Sequence, residues 1–450
     1  MPRRPAGLVY AENDRPPLPV LAALGVQHIF LMSSTLVLPV VLMSEIGSPF
    51  SQVRGVVALT MIACGIGTIL QALRLPGFGS GFLCPNLCGP NFFAVCMSAA
   101  WLGGLPLMRG MTIAAGLVEA VFARVIRRLG FLFPPEITGL VVLMVAESLV
   151  PLATSKFLGI TYEDEPISHL GLTVAAVTLL TMIAANVWGR GRLRLYGVLI
   201  GMVTGYACSL ATGFFGVAQL EQFSRSPWVA VPWIDGATDL AFRWSLLPAF
   251  VIVSVTGALK SMGNLTMCEK VNDADWKAPD LARIGNGLLA DSAAVTVSGL
   301  IGGMASDTSA SNVALSAASG ATSRFVGFAA GALFVVLGFS PKVSGLFSLM
   351  PSPVMGAILI FVTAFMLVSG VQIILGSGMD ARKTFAVGIS LIFGLSLDIV
   401  PGLYAGVYGW LRPLFESSLT LATVMAVVLN QLLRGGQAPP APAATSATPD

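Results

Sequence analysis

A lysine, Lys260, follows the nine-residue apolar run VIVSVTGAL that begins at Val251, and Asn264 comes four residues later. A charge in mid-membrane costs about 2.5 to 3.5 kcal/mol on insertion scales, so such a lysine must face the protein interior and have a partner there. Three chemistries are open to it. It can pair with Asp291, Asp307 or Glu147 as a structural ion pair, meet an anionic substrate such as a deprotonated purine or another acidic heterocycle, or snorkel without function. The second is favoured by two stretches, GFGSGFLCP (77–85) and GMASDTSASN (303–312), too rich in Gly, Ser, Pro and Thr to be whole lipid-facing helices. Each reads as a short extended stretch leading into a half-helix, whose first N–H groups and positive dipole end would point into a cavity. A site of that kind suits an anion or a polar planar ring with carbonyl acceptors, and Ser311 and Asn312 stand where side-chain donors and acceptors are needed.

Other polar residues inside apolar blocks extend this set. His28 either orients the first span toward the Lys260 segment or is a satisfied core histidine, and Gln27 is a packing or site-lining amide. Asp291 in LLADSAAV is read as a coupling group, a lysine partner or a buried cap, and Glu147 as a mid-span carboxylate able to pair or to carry a proton. Glu119 and Glu136 are expected near the cytoplasmic face, in contact with water.

Enzyme chemistry lacks its motifs. There is no His-Glu-x-x-His helix and no phosphate loop ending Gly-Lys-Ser/Thr, and the two histidines, His28 and His169, cannot build a multi-histidine site. The Gly-rich run GFGSGF has no soluble βα unit behind it, and the six cysteines lack the pairing of a zinc site and read as small reduced core residues. No cofactor, metal or nucleic-acid partner is therefore expected. Uphill transport without an ATP site must draw on an ion gradient, of protons or sodium.

The elements that position these residues follow from composition. Of 450 residues, 55% are hydrophobic and 10% charged, against roughly a quarter charged in a soluble domain. The mean hydropathy is +0.83. Blocks near 20 residues, each able to cross roughly 30 Å of hydrocarbon as a helix, recur from Pro19 to Leu433. They make an all-α integral membrane protein with fourteen spans, at 19–44, 54–73, 82–99, 105–126, 134–152, 168–188, 195–215, 243–265, 283–303, 309–320, 325–340, 353–375, 384–399 and 417–433. The third and tenth are the shortest and most broken. With the N-terminus cytoplasmic, 17 basic residues fall inside and 7 outside, Lys260 being the last of the 25, which supports fourteen spans with both ends in the cytoplasm of a multi-pass inner (plasma) membrane protein. No cleavable signal is read in the polar, Pro-rich first 18 residues, and residues 435–450 read as a disordered tail. The loop 216–242, with Trp228 and Trp233, is expected to lie along the lipid interface.

The chain also repeats itself. FPPEITGLVVLMVAESLV (133–150) and MPSPVMGAILIFVTAFMLV (350–368) share a Pro-x-x-x-x-Gly-apolar pattern about 217 residues apart, and LCGPNFFAV (87–95) and SASNVALSA (309–317) fall about 222 apart. Seven spans per half is odd, so the halves enter the membrane in opposite senses. Such 7+7 inverted repeats, with an interrupted helix in each half, are a layout of secondary transporters.

At this point a family resemblance can be read. VQHIFLMSSTLVLPVVL (26–42), with its Gln27–His28 pair, resembles the first span of the nucleobase-ascorbate transporter family, the uracil/xanthine permeases; GSGFLCP resembles the family's third span and FPPEITG the start of its fifth. The span 10 signature, an acid, Gln or Pro followed by Asn-x-Gly-x-x-x-x-Thr, falls on Ser311, Asn312, Val313, Ala314 and Ser319. The resemblance covers roughly 19–433. It implies a core domain of spans 1–4 (19–130) and 8–11 (243–340), and a gate domain of spans 5–7 (131–242) and 12–14 (341–434), between tails 1–18 and 435–450. It also implies a secondary active carrier of a nucleobase, a xanthine-, uracil- or urate-like heterocycle, often with a proton, and commonly a homodimer joined through its gate domains. The residue reading and the resemblance together give a candidate substrate site of Gln27, His28, Gly81, Phe82, Lys260, Asn264, Ser311 and Asn312, with Asp291, Asp307 and Glu147 as coupling or ion-pair groups. This chain departs from the family in span 8, where Glu-x-x-Gly-Asp, whose glutamate binds the base ring, becomes Lys260-Ser261-Met262-Gly263-Asn264. A subgroup of bacterial relatives also carries lysine there. Alternative readings are an anion transporter of the sulfate/bicarbonate type with the same architecture, or a channel.

Overall fold

The computed structural model describes residues 4–5, 8–129, 134–160, 167–190, 196–214, 221, 223–232, 239–277, 279–376, 378–400, 402–404, 406–407, 415 and 417–434. Trp233 and the tail 435–450 lie outside the described residues, as do the basic residues Arg192, Arg194 and Arg412.

The first span is two helices, α1 (Leu18–Ser33) and α2 (Val37–Glu45). Pro39 explains the break. It has no N–H for the carbonyl of Thr35, and its ring crowds that carbonyl, so the helix restarts with proline in its first turn. Helix α3 (Phe50–Ala72) follows, then strand β1 (Asn86–Cys88) and α4 (Pro90–Leu129). The expected third span at 82–99 is corrected here, since residues 82–89 are not helical and the half-helix begins at Pro90. The segments expected as spans 3 and 4 fall on α4, on either side of a break at Gly103 and Gly104, the latter with φ +66°. Next come α5 (Pro135–Glu147), α6 (Val150–Leu158), α7 (His169–Val187) and α8 (Gly197–Ala211). The second half contains α9 (Leu247–Asn272), α10 (Leu281–Ile301), β2 (Ser306–Thr308) and α11 (Ala310–Ser319). It ends with α12 (Arg324–Gly338), α13 (Pro341–Ser348), α14 (Ser352–Gly376), α15 (Ala381–Ile399) and α16 (Ser418–Arg434). Helix α13 was not foreseen; Pro341 restarts the chain as a helix bent 82° from α12.

Among the described residues, eight helices are long and apolar enough to cross a membrane, or nine when the bent pair α12–α13 counts as one span. Shorter apolar helices, among them α8 and α16, account for further expected spans.

Glycine sets how closely the helices pack. A Cβ on Gly65 of α3 would sit 2.6 Å from the carbonyl oxygen of Gly331 on α12, and a Cβ on Gly331 would meet the Gly65 carbonyl at the same distance. In a bilayer, where lipid tails are as apolar as leucine, such close backbone approach carries much of the helix association. One group of packed helices contains α1, α3, α4, α9, α10 and α12; another contains α5, α6, α7, α8 and α14, with α15 paired to α16. Between the halves, β1 and β2 form a two-stranded antiparallel sheet with Leu87 opposite Asp307, so the extended backbones at membrane depth bond each other. The N-terminal segment is docked rather than loose: Val9 and Tyr10 donate to the Gly320 carbonyl, and Glu12 bridges Arg74 (3.1 Å) and Arg283 (2.6 Å).

Candidate functional site

A cavity of about 1000 Å³ lies between the two groups of helices. One wall consists of Leu87, Pro90 and Asn91 at the first strand and half-helix, Lys260 and Gly263 on α9, and Thr308 to Ser311 at the second. The facing wall is largely apolar and includes Val142 of α5, Val198 of α8 and the α14 residues Phe361 and Phe365. The two rings sit 5.0 Å apart and tilted, a surface on which a planar ring can rest.

Lys260 meets this cavity through an ion pair. Its Nζ lies 2.6 Å from Asp307 Oδ2, with the lysine side chain 29% exposed and the aspartate 1%. Strand β2 holds Asp307 as its central residue, shortly before α11, and Asn91 Nδ2 donates to the same carboxylate oxygen at 2.9 Å. One of the three roles open to Lys260 in the sequence, the ion pair, is formed, with Asp307 as its partner. Asp307 offsets the ammonium charge, so the positive potential expected of lysine beside two helix tips is largely cancelled at that point. The remaining ammonium hydrogens have no partner among the described residues and can serve the cavity.

Behind the pair, a directed chain of hydrogen bonds runs into the core. Asn264 Nδ2 donates to Thr308 Oγ1 at 2.9 Å and to the Thr308 carbonyl at 3.2 Å. With its oxygen thus engaged as acceptor, the Thr308 hydroxyl can donate to Ser261 Oγ, 2.7 Å away, and Ser261 in turn donates to Asp291 Oδ2. Asp291 Oδ1 accepts from Asn86 Nδ2 at 2.7 Å. Asn86, Asn91, Ser261 and Thr308 were not anticipated as site residues. Asn91 had a signal in the sequence: it follows Gly89-Pro90, a pattern that opens a helix.

Other anticipated residues lie further back. His28 Nδ1 is 2.8 Å from Asn312 Oδ1, and Ser309 Oγ caps α11 by accepting from the backbone N–H and the Nδ2 of Asn312. Both His28 and Asn312 are buried behind the wall, whereas Ser311 lines the cavity. Gln27 does not line it, and its Oε1 is buried without a hydrogen-bond partner among the described residues. Gly81 and Phe82 do not line the cavity either: Gly81 (φ +71°) turns the chain beside Arg74, and the Phe82 ring is covered by the Arg283 guanidinium at 3.5 Å, held there by the Ser80 carbonyl. Glu147 stands apart from Lys260, beside Asp398 of α15, so it is not the lysine's partner. Glu136 and Glu119, expected in water, are both buried; Glu136 is flanked by Arg382 and Lys383, and Glu119 lies against Asp291.

Residues 20–403 match the family model Xan_ur_permease, the Permease family. The chain belongs to this family. The permease is a membrane transporter and not an enzyme. It is 26% identical over 433 residues to a putative purine permease of Clostridium perfringens (strain 13 / Type A), covering 95% of this chain and 93% of that protein. It is also 26% identical over 438 residues to the xanthine permease XanP of Escherichia coli (strain K12), with 94% of each chain covered. In fold, the permease is similar to the transmembrane domain of a cyanobacterium bicarbonate transporter, BicA, at a TM-score of 0.58 and 12% identity over 93% of this chain and 99% of that one. It is likewise similar to the murine Slc26a9 anion transporter in the inward-facing state, at a TM-score of 0.61 and 9% identity over 94% of this chain and 69% of that one.

Proposed function

We propose that this permease is a secondary active transporter of a nucleobase, a xanthine-, uracil- or urate-like heterocycle, in the plasma membrane. The names of its relatives support the substrate class, and one observation carries the mode of recognition: a lysine ammonium on the cavity wall, held by Asp307, where the family has a glutamate. A carboxylate accepts hydrogen bonds and an ammonium only donates. The edge of the base turned toward α9 is therefore one of acceptors, carbonyl oxygens or an unprotonated ring nitrogen, which xanthine and urate present in number. Lys260, Ser311 and the first-turn N–H groups of α11 supply the donors, and Phe361 and Phe365 cover the ring face.

The same reading gives the transport cycle. The helices around α3, α4, α9, α10 and α12 act as the moving core and those around α5, α7 and α14 as the gate, with the cargo carried between them in an elevator-like shift. An inverted repeat of seven plus seven spans is supported by a contact made twice. Gly139 of α5 packs against the Gly370 carbonyl of α14, and Gly356 of α14 packs against the backbone at Phe157 of α6. The positive-inside count favours cytoplasmic termini.

An anion exchanger of bicarbonate or sulfate type is the weaker reading, because Asp307 already neutralises the lysine such a substrate would need. Uptake of labelled xanthine, uracil and urate by proteoliposomes separates these functions. Saturable counterflow of at least one base is expected. Sulfate or bicarbonate exchange without base uptake, or an unsaturable conductance, would refute the proposal.

A further inference from the structure

The hydrogen-bonded chain behind Lys260 ends at a second carboxyl, and Glu119 has no part in holding cargo. Gly116 lets α4 and α10 touch backbone to backbone: a Cβ there would lie 2.7 Å from the Thr296 nitrogen and 2.8 Å from the Ser292 carbonyl. One turn further on the same face, Glu119 is thereby pressed against Asp291. Glu119 is 1% exposed, and its Oε1 has no hydrogen-bond partner among the described residues.

The charges do not balance as they stand. Among the described residues, Glu119, Asp291 and Asp307 meet in this region with one cation, Lys260. Two neighbouring buried carboxylates oppose each other's ionisation, and one proton shared between them relieves the conflict. The donors locate it. Both oxygens of Asp291 accept, from Asn86 and from Ser261, so the proton sits on Glu119.

We propose that Glu119 and Asp291 are the proton site of this transporter, obliged to keep their proton while a cargo acceptor draws Lys260 away from Asp307. With cargo bound, the ammonium is shared with the base, and loss of the proton would leave three carboxylates facing a diverted cation. Once the cargo departs, Lys260 returns in full to Asp307, which lowers the cost of giving up the proton, and it exchanges with the cytoplasm while the site still rests protonated at neutral pH. Cargo and proton therefore cross together, one proton per base, with the Ser261 hydroxyl, which donates to Asp291 and accepts from the Thr308 hydroxyl next to Asp307, as the link between the two sites. This rests on the nucleobase reading above, and its test separates the two.

Infrared spectroscopy of the cargo-free protein at neutral pH should show the C=O stretch of a buried protonated carboxyl, and Glu119→Gln should remove it. In proteoliposomes with an inward pH gradient, the native protein should accumulate base about tenfold per pH unit, as expected for one proton on a neutral cargo. Glu119→Gln, which mimics the loaded state, should keep counterflow and lose that accumulation. A band that persists in Glu119→Gln, or accumulation equal to the native protein's in that variant, would overturn the assignment. Failure of the native protein to move any base would refute the cargo reading, while the infrared band would still decide the proton site.

Discussion

The two strand-to-half-helix arms that meet in the cavity are built alike and equipped differently. In the first, Asn86 to Asn91, the cavity sees Leu87, Pro90 and Asn91, and the polar groups are amides that serve acids elsewhere: Asn86 donates to Asp291 and Asn91 to Asp307. In the second, Ser306 to Ser311, the arm itself carries the acid Asp307, the hydroxyl of Thr308 and the capping Ser309. The first half-helix opens on proline behind Gly89, without a side-chain cap of that kind. The two arms thus divide the labour, with one supporting and the other presenting chemistry together with Lys260.

Substitutions on matched positions break or sharpen that contrast. The largest effect is expected for Asp307→Asn, which leaves the Lys260 ammonium without its counter-charge; breaking a buried pair from one side costs about 3 kcal/mol or more, read as a fall in thermal unfolding temperature in detergent together with loss of uptake. On the first arm, Asn91→Ala removes one hydrogen bond to a charged group, worth about 1.5 to 3 kcal/mol, and should weaken cargo binding by loosening Asp307 while uptake persists. Equal losses from the two variants would mean that the arms do not differ as described. Ser309→Ala removes the cap of α11 at about 1 kcal/mol, measurable as a small drop in unfolding temperature. Phe82→Leu, which loses the Arg283 stacking and leaves a cavity in a packed cluster, should lower the unfolding temperature yet have the smallest effect of all on cargo affinity, since the ring does not face the cavity.

Much of this was legible in the sequence. Span positions followed from apolar length, and most observed helix ends fall within a few residues of the expected ones, for example Leu281–Ile301 against 283–303. The two extended arms were signalled by Gly, Ser, Pro and Thr where lipid-facing helix would not tolerate them. What escaped was direction. A helix that is apolar all round does not say which face a given residue occupies, so Glu119 read as solvated although Gly116 draws it into the core, and Phe82 read as cargo-facing although Arg283 covers it. Three acids competed for Lys260 on paper, and the strand register that brings Asp307 to it depends on a contact between positions 216 or more residues apart, such as Asn91 with Asp307.

The account turns on the ammonium as a donor to the cargo, and binding of xanthine to purified native protein and to Lys260→Glu, measured by calorimetry, tests this most directly. Reversing a charged donor into an acceptor should weaken xanthine binding roughly 10- to 100-fold, the equivalent of one charge-assisted hydrogen bond, while bases with an N–H edge lose less or gain. Xanthine affinity unchanged in Lys260→Glu would contradict it.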